Sequence, residues 1–297
     1  MSLHKSVLLK KAIDELALEE GDVYLDATLG AGGHSEEVYA RMQSGVSIYG
    51  IDADEVAVEL AKNRLELLGA KPQFAVLNFR HIEKVIELLD MPAPTKILFD
   101  LGWSNMQMEE SERGFSFNRD EPLIMTLSKP QEGEVTAYEV VNTWQEESLA
   151  DIIYGFGEER FARRIAKAIV ERRQEKPIMS SVELAELVKS SVPVWYRYSK
   201  IHPATRTFQA IRIAVNDELQ TLKIGIEKAF NILEKNGRMA VISFHSLEDR
   251  IVKHFFKDLS DNDLGEILSK KPITPDEAEI ALNPRSRSAK LRIIRKI

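Results

Sequence analysis

The residues with the clearest chemistry lie in Asp26-Ala27-Thr28-Leu29-Gly30-Ala31-Gly32-Gly33-His34-Ser35, which follows an apolar run and precedes a helical pattern. A second apolar run, 46–51, then closes in Asp52. A glycine-rich strand-to-helix turn lets backbone N–H groups approach a ligand closely, and an acid about 20 residues on is placed to accept hydrogen bonds from a ribose diol. Gly32, Gly33 and Asp52 are therefore candidate contacts to an adenosyl cofactor. Charge narrows the choice. Ser35 is only a fair substitute for the third glycine of a dinucleotide fingerprint, and Asp26 puts a carboxylate at the end of the first strand, near where a pyrophosphate would lie. A fixed negative charge there repels a diphosphate but suits a ligand carrying a sulfonium and an ammonium. That ligand is S-adenosylmethionine.

A second cluster, Phe99-Asp100-Leu101-Gly102-Trp103-Ser104-Asn105, ends another apolar run. In an open parallel sheet the ligand crevice lies outside the carboxyl ends of the central strands, so this loop faces the glycine-rich turn. Methylation of an exocyclic base amine is hindered because the lone pair is delocalised into the ring. An oxygen accepting from the N–H would align the amine and favour the developing positive charge. Asp100, Ser104 and Asn105 offer a carboxylate, a hydroxyl and an amide for that work. The six histidines show no paired metal-ligand spacing, so no metal site is expected. His34 sits in the turn, where its backbone is expected to matter more than its ring. His245 follows a strand end, where it either lines the crevice or serves structure.

The elements that must position these groups are legible as alternating strands and helices, the signature of an α/β fold with a mainly parallel sheet and helices on both faces. Strands are expected at 23–27, 46–51, 74–77, 97–101, 239–244 and 291–294, with helices such as 55–68 between them. The alternation stops after Leu101 and resumes near Met239, preceded by one long helix marked by Phe208, Ile211, Val215, Leu219, Leu222, Ile226, Phe230 and Leu233. The intervening stretch reads as an inserted helical domain. With 297 residues, no cysteine and no apolar run of membrane-spanning length, disulfides and thiolate zinc sites are excluded, and a cytoplasmic place is expected. The net charge of −7 argues against a protein that coats nucleic acid generally, yet two segments are locally basic. Residues 281–297 carry Arg285, Arg287, Lys290, Arg292, Arg295 and Lys296 without one acid, a phosphate-sized patch. Residues 160–176 carry seven cations against Glu171 and Glu175 on a helical pattern, which reads equally as a solvated face.

Further motifs join these: His4-Lys5-Ser6-Val7-Leu8-Leu9, Glu112-Arg113-Gly114-Phe115-Ser116-Phe117, Val141-Asn142-Thr143-Trp144, Arg206-Thr207-Phe208-Gln209-Ala210-Ile211-Arg212, Ser243-Phe244-His245-Ser246-Leu247-Glu248-Asp249-Arg250 and Asn283-Pro284-Arg285-Ser286-Arg287-Ser288-Ala289-Lys290-Leu291-Arg292. In this order, nearly end to end, the chain resembles the bacterial methyltransferases that modify cytosine N4 in small-subunit ribosomal RNA, the RsmH (MraW) group. The resemblance implies a Rossmann-like S-adenosylmethionine-dependent core, 1–105 and 206–297, interrupted by a mostly helical domain at 106–205. It implies 16S rRNA or the small ribosomal subunit as partner, with a homodimer left open. It assigns cofactor contacts to Gly32, Gly33, His34, Asp52, Phe79, Asp100 and Gln107. Phe79 follows the third expected strand, where an aromatic face could stack on adenine. Arg285, Arg287 and Lys290 are the RNA candidates.

Two departures from the family pattern bear on the acceptor side. The usual D-L-G-V-S-S-P-Q has Trp103, Asn105 and Met106 here, and the usual D-M-R-M-D is replaced by Ile124-Met125-Thr126-Leu127-Ser128. Two other classes stay open at this point: a non-catalytic cofactor-binding protein of ribosome assembly, and a NAD-dependent oxidoreductase, disfavoured by Asp26 and Ser35.

Overall fold

All six apolar runs form strands, and along the central ones successive residues enter two different buried faces. The computed structural model describes residues 6–101, 112–127 and 133–297. In chain order the elements begin with α1 (Leu9–Leu16), β1 (Val23–Asp26), α2 (Gly33–Met42), β2 (Ser47–Asp52), α3 (Glu55–Leu67) and β3 (Gln73–Val76). A short 3-10 turn at Phe79–Lys84 leads into α4 (Val85–Leu88) and β4 (Lys96–Asp100). Six helices follow: α5 (Ala137–Thr143), α6 (Glu146–Gly155), α7 (Ala162–Glu175), α8 (Ser181–Ser191), α9 (Val194–Arg197) and α10 (Ala204–Asn216). The chain closes with α11 (Glu218–Ile232), β5 (Arg238–Ser243), α12 (Ser246–Asp261), β6 (Gly265–Ile267), α13 (Glu277–Leu282) and β7 (Lys290–Lys296).

The strands form one seven-stranded sheet in the order β3-β2-β1-β4-β5-β7-β6. Pairings from β3 through β5 are parallel, whereas β7 runs antiparallel to both β5 and β6. The strand order reverses between β1 and β4, and the crevice of such a sheet opens outside the carboxyl ends at that switch point. The ends of β1, β2 and β4 are Asp26, Asp52 and Asp100.

Leu25, Ile51, Ile97, Phe99, Met239 and Val241 pack with α11 and α12 through Leu222, Ile226, Phe230, Val252 and Phe256. Tyr24, Ile48, Leu98, Ala240, Ile242 and Leu291 pack with α1, α2 and α3 through Ile13, Leu16, Val38 and Leu65. This two-sided burial is why the strands read as near-continuous apolar runs rather than alternating ones. Asp54 starts α3, its carboxylate accepting the Val56 N–H at 3.0 Å.

The chain divides into two compact units, Met1–Ser104 with Leu219–Ile297, and Asn105–Glu218. The long helix expected across 208–233 is two helices. Asp217 takes a left-handed φ of 47° and ends α10, while the apolar stripe continues into α11 and hides the break from periodicity. Within the second unit, Asn216 accepts the Leu127 N–H at 2.9 Å and donates to the Met125 carbonyl at 2.8 Å, and Arg113 donates to the Thr126 and Leu127 carbonyls. The segment that departs from the family pattern is thereby held through its backbone.

Candidate active site

The turn after β1 is built on Asp26, but not as the charge argument supposed. Its side chain is only 1% exposed and accepts from the Tyr24 hydroxyl at 3.2 Å, the Ser35 hydroxyl at 3.0 Å and the Thr28 N–H at 3.3 Å. Burial raises its pKa to about 6 against the opposing pull of those hydrogen bonds. Asp26 thus ties the turn to the first turn of α2 from beneath. The carboxylates at the strand ends that remain partly exposed are Asp52 and Asp100.

The glycines divide the work. Gly32 has φ 77°, and a Cβ there would lie 2.9 Å from the Ala61 Cβ, so its absent side chain lets α2 and α3 meet. A Cβ on Gly33 would lie 2.1 Å from the Ser6 hydroxyl oxygen. At Gly30, φ is 50° and nothing lies nearer than 4.0 Å to where a Cβ would stand, so this glycine leaves open space beside Asp52. The Gly30 N–H donates to Asp52 Oδ2 at 2.8 Å and the Asp54 N–H to Oδ1 at 2.9 Å. The Ala53 N–H also favours the charged carboxylate, which with about four acceptor positions keeps room for another donor. Burial raises the Asp52 pKa above the ordinary carboxylate value.

Asp100 is placed by Thr28, whose hydroxyl oxygen accepts the Asp100 N–H at 2.6 Å. Its Oδ2 stands 3.7 Å from Nδ1 of His34, and Nε2 of the same buried ring stands 3.2 Å from the Val7 carbonyl oxygen. With Nε2–H donating to Val7, the neutral ring has only an acceptor at Nδ1, so it attracts the Asp100 carboxylate only when both ring nitrogens carry protons. His34 is expected to matter more through its backbone than its ring, yet the ring itself is buried, lying between the Val7 carbonyl and the β4 carboxylate. Phe79 is half-buried, edge-on to Phe99 at 5.6 Å between ring centres, and packed against Gly225, where a Cβ would lie 2.5 Å from the ring. His245 caps α12 in a capping box with Glu248, whose Oε2 accepts the Phe244 N–H at 2.8 Å. Ser104, Asn105 and Gln107 lie outside the described residues. Sequence reasoning placed Ser6, Val7, Thr28 and Gly30 within motifs but gave them no role; Thr28, a hydroxyl inside the turn, carried the clearest local signal.

The basic C-terminal segment is largely structural. Asp249 accepts from Lys290 Nζ at 2.8 Å and from Arg292 Nε at 2.7 Å. Burial works to raise the Asp249 pKa, but these two cations prevail and hold it below the ordinary carboxylate range. Arg295 pairs with Glu266, and Lys296 donates to the carbonyls of Phe230, Asn231 and Leu233 at the end of α11. Of the three RNA candidates, Lys290 is already paired, with an acid 41 residues away in sequence. Arg285 and Arg287 are exposed.

A parallel sheet with a switch point, a glycine-rich turn after its first strand and a carboxylate closing its second defines a Rossmann-like enzyme core for a nucleoside cofactor. The model of the MraW methylase family matches residues 1–297, and the chain belongs to that family. It is 47% identical over 294 residues to the ribosomal RNA small subunit methyltransferase H of Sulfurihydrogenibium sp. (strain YO3AOP1), covering 99% of each chain. With the protein of the same name from Brevibacillus brevis it shares 41% identity over 309 residues, covering 99% of this chain and 98% of the relative. The enzyme is an S-adenosylmethionine-dependent methyltransferase. Its turn fits that cofactor. Arg64, the cation beside the turn, is committed to Glu36 at 2.7 Å and to the Ala31 carbonyl at 3.0 Å, which leaves it poorly placed to receive a pyrophosphate. Asp52 and the space at Gly30 suit a ribose.

Proposed function

We propose that this methylase transfers a methyl group to the exocyclic N4 of a cytidine in small-subunit (16S) ribosomal RNA, in the cytoplasm where ribosomes are assembled. The observation that carries the reading is the end-to-end family match, joined to a β2 carboxylate with unused lone pairs over an open glycine. When bound, S-adenosylmethionine supplies an electrophilic methyl group on its sulfonium. Asp52 would take the ribose hydroxyls and the exposed part of Phe79 the adenine. The N-terminus of α2, which has no side-chain cap, would offer the N–H groups of Gly33 and His34 to the methionyl carboxylate.

On the acceptor side, Asp100 would accept a hydrogen bond from the cytidine amine and favour the positive charge that grows on it. His34 and Thr28 would position Asp100, and Ser104 and Asn105 would complete the set of acceptors. The helical insertion expected at 106–205 would serve the RNA side, with Arg285 and Arg287 contributing phosphate contacts from the first unit. Mass-spectrometric nucleoside profiles of small-subunit RNA from cells with and without the gene test this reading. Loss of N4-methylcytidine in the deletion strain, restored by the wild-type gene, is expected. An identical profile overturns it.

A further inference from the structure

Arg160 lies over three aromatic rings in the second unit: its guanidinium carbon is 4.7 Å from the ring centre of Trp195, 5.0 Å from Phe161 and 5.2 Å from Tyr196. The rings lock one another edge-on, Phe161 to Tyr196 at 5.0 Å and Trp195 to Tyr196 at 5.7 Å. Beneath them, the Tyr196 hydroxyl donates to the fully buried Glu159 at 2.6 Å, and the Phe161 N–H donates to the same carboxylate at 2.9 Å. The cluster is thus fixed from below. Its upper side is open: Trp195 is 62% exposed, and Tyr198, just beyond α9, is 83% exposed.

No carboxylate pairs with Arg160 among the described residues, and Arg163 and Arg164, at the start of α7, are exposed and equally unpaired. An exposed indole beside unneutralised guanidinium groups suits a ligand that is flat and aromatic in one part and anionic in the next. Single-stranded nucleic acid has that chemistry, because its bases stack on aromatic and guanidinium planes while its phosphates take cations. An apolar peptide would complement the indole but leave the cations unmatched. The segment 160–176 and Trp195 are separated in sequence, and only the fold joins them.

We propose that Trp195 and Arg160 form a stacking platform for an unpaired nucleobase of RNA, with Arg163 and Arg164 holding the adjoining phosphates. This rests on the reading of RNA as substrate and names a contact away from the cofactor turn. The test is fluorescence anisotropy of a labelled 12-nucleotide single-stranded RNA, and of a duplex of equal length, with the full chain at several salt concentrations.

Trp195→Ala and Arg160→Ala should each weaken single-strand binding by roughly 5- to 100-fold, Trp195→Phe should retain most of it, and duplex binding should move little. Arg163→Ala with Arg164→Ala should flatten the logarithmic salt slope by about 1 to 1.5. Thermal melts of each variant identify any loss that comes from unfolding, and Trp195→Phe keeps the comparison informative in that case. Unchanged single-strand affinity in folded Trp195→Ala, or equal losses for single strand and duplex, overturns the platform. So does a defect seen with ribosomal particles but not with free RNA, which would mark a protein-docking face. Methyl incorporation is measured separately: a wild-type chain that binds RNA through Trp195 yet methylates no ribosomal RNA would refute the functional reading and leave the platform standing.

Discussion

Replacing Asp52 with alanine should weaken S-adenosylmethionine binding by roughly 2 to 4 kcal/mol, about 30- to 1,000-fold in Kd. The carboxylate already accepts the Gly30 N–H on one oxygen and the Asp54 N–H on the other, with the Ala53 N–H also favouring its charged form, and it keeps acceptor capacity for a ribose diol. Two charge-assisted bonds of about 1.5 to 3 kcal/mol each, reduced by what the diol loses in leaving water, give that range. Asp52→Asn separates charge from shape. Its amide keeps one oxygen and turns an N–H₂ toward a donor, so a loss of about 1 to 2 kcal/mol is expected. Burial raises the Asp52 pKa, so wild-type affinity should fall as pH drops through that raised value, whereas Asp52→Asn should stay flat there. Isothermal titration of S-adenosylmethionine into each protein across pH reads all three quantities, with melting temperature as the check on folding. An unchanged Kd for Asp52→Ala would refute the ribose assignment.

The two left-handed glycines of the turn after β1, Gly30 and Gly32, should respond differently to alanine. Gly32→Ala meets Ala61 and should cost about 2 to 4 kcal/mol in denaturant unfolding, whereas Gly30→Ala should cost about 1 kcal/mol and show its effect in cofactor affinity. Arg285→Ala with Arg287→Ala should flatten the salt slope of RNA binding by about 1 to 2 with stability unchanged. Lys290→Ala should leave the slope alone and cost about 1 kcal/mol or less of stability, because Arg292 still faces Asp249. Asp26 has a folded pKa of about 6, above its unfolded value, so the folded state binds the extra proton and stability from this group falls as pH rises from about 4 to 6. Relative to wild type, Asp26→Asn should therefore gain about 3 kcal/mol between pH 4 and 7 in chemical denaturation. A pH-independent difference would show that Asp26 stays charged in both states.

The strands were legible because a sheet covered on both faces writes itself as uninterrupted apolar runs, as in Ile97-Leu98-Phe99 and Met239-Ala240-Val241-Ile242. Direction was not: nothing in Leu291-Arg292-Ile293-Ile294 distinguishes an antiparallel β7 from another parallel strand. The three-residue β6, which begins in glycine, carries too little apolar pattern to read. The break at Asp217 was hidden for a related reason, since α10 and α11 each keep an apolar face on either side of it. The site was legible where one local rule held, as for Asp52 closing a strand, and failed where a partner came from far along the chain.

Three residues show that failure in physical terms. Asp26 reads as a charge offered to a ligand, but Tyr24, Ser35 and Thr28 enclose it, and what it visibly does is fix the shape of the turn. Lys290 reads as a phosphate contact, but Asp249 in the first turn of α12 holds it. His34 reads as a residue whose backbone matters more than its ring, yet the ring is buried between the Val7 carbonyl and Asp100. In each case the residue type was informative about chemistry and silent about direction, because direction depends on what the fold brings opposite. That distinction bears on the acceptor side. Trp103, Asn105 and Met106 follow Asp100 in sequence and lie outside the described residues, whereas Thr28 holds the Asp100 N–H and His34 stands 3.7 Å from its carboxylate. Substitutions at His34 or Thr28 should therefore impair methyl transfer even where Ser104 and Asn105 are left intact.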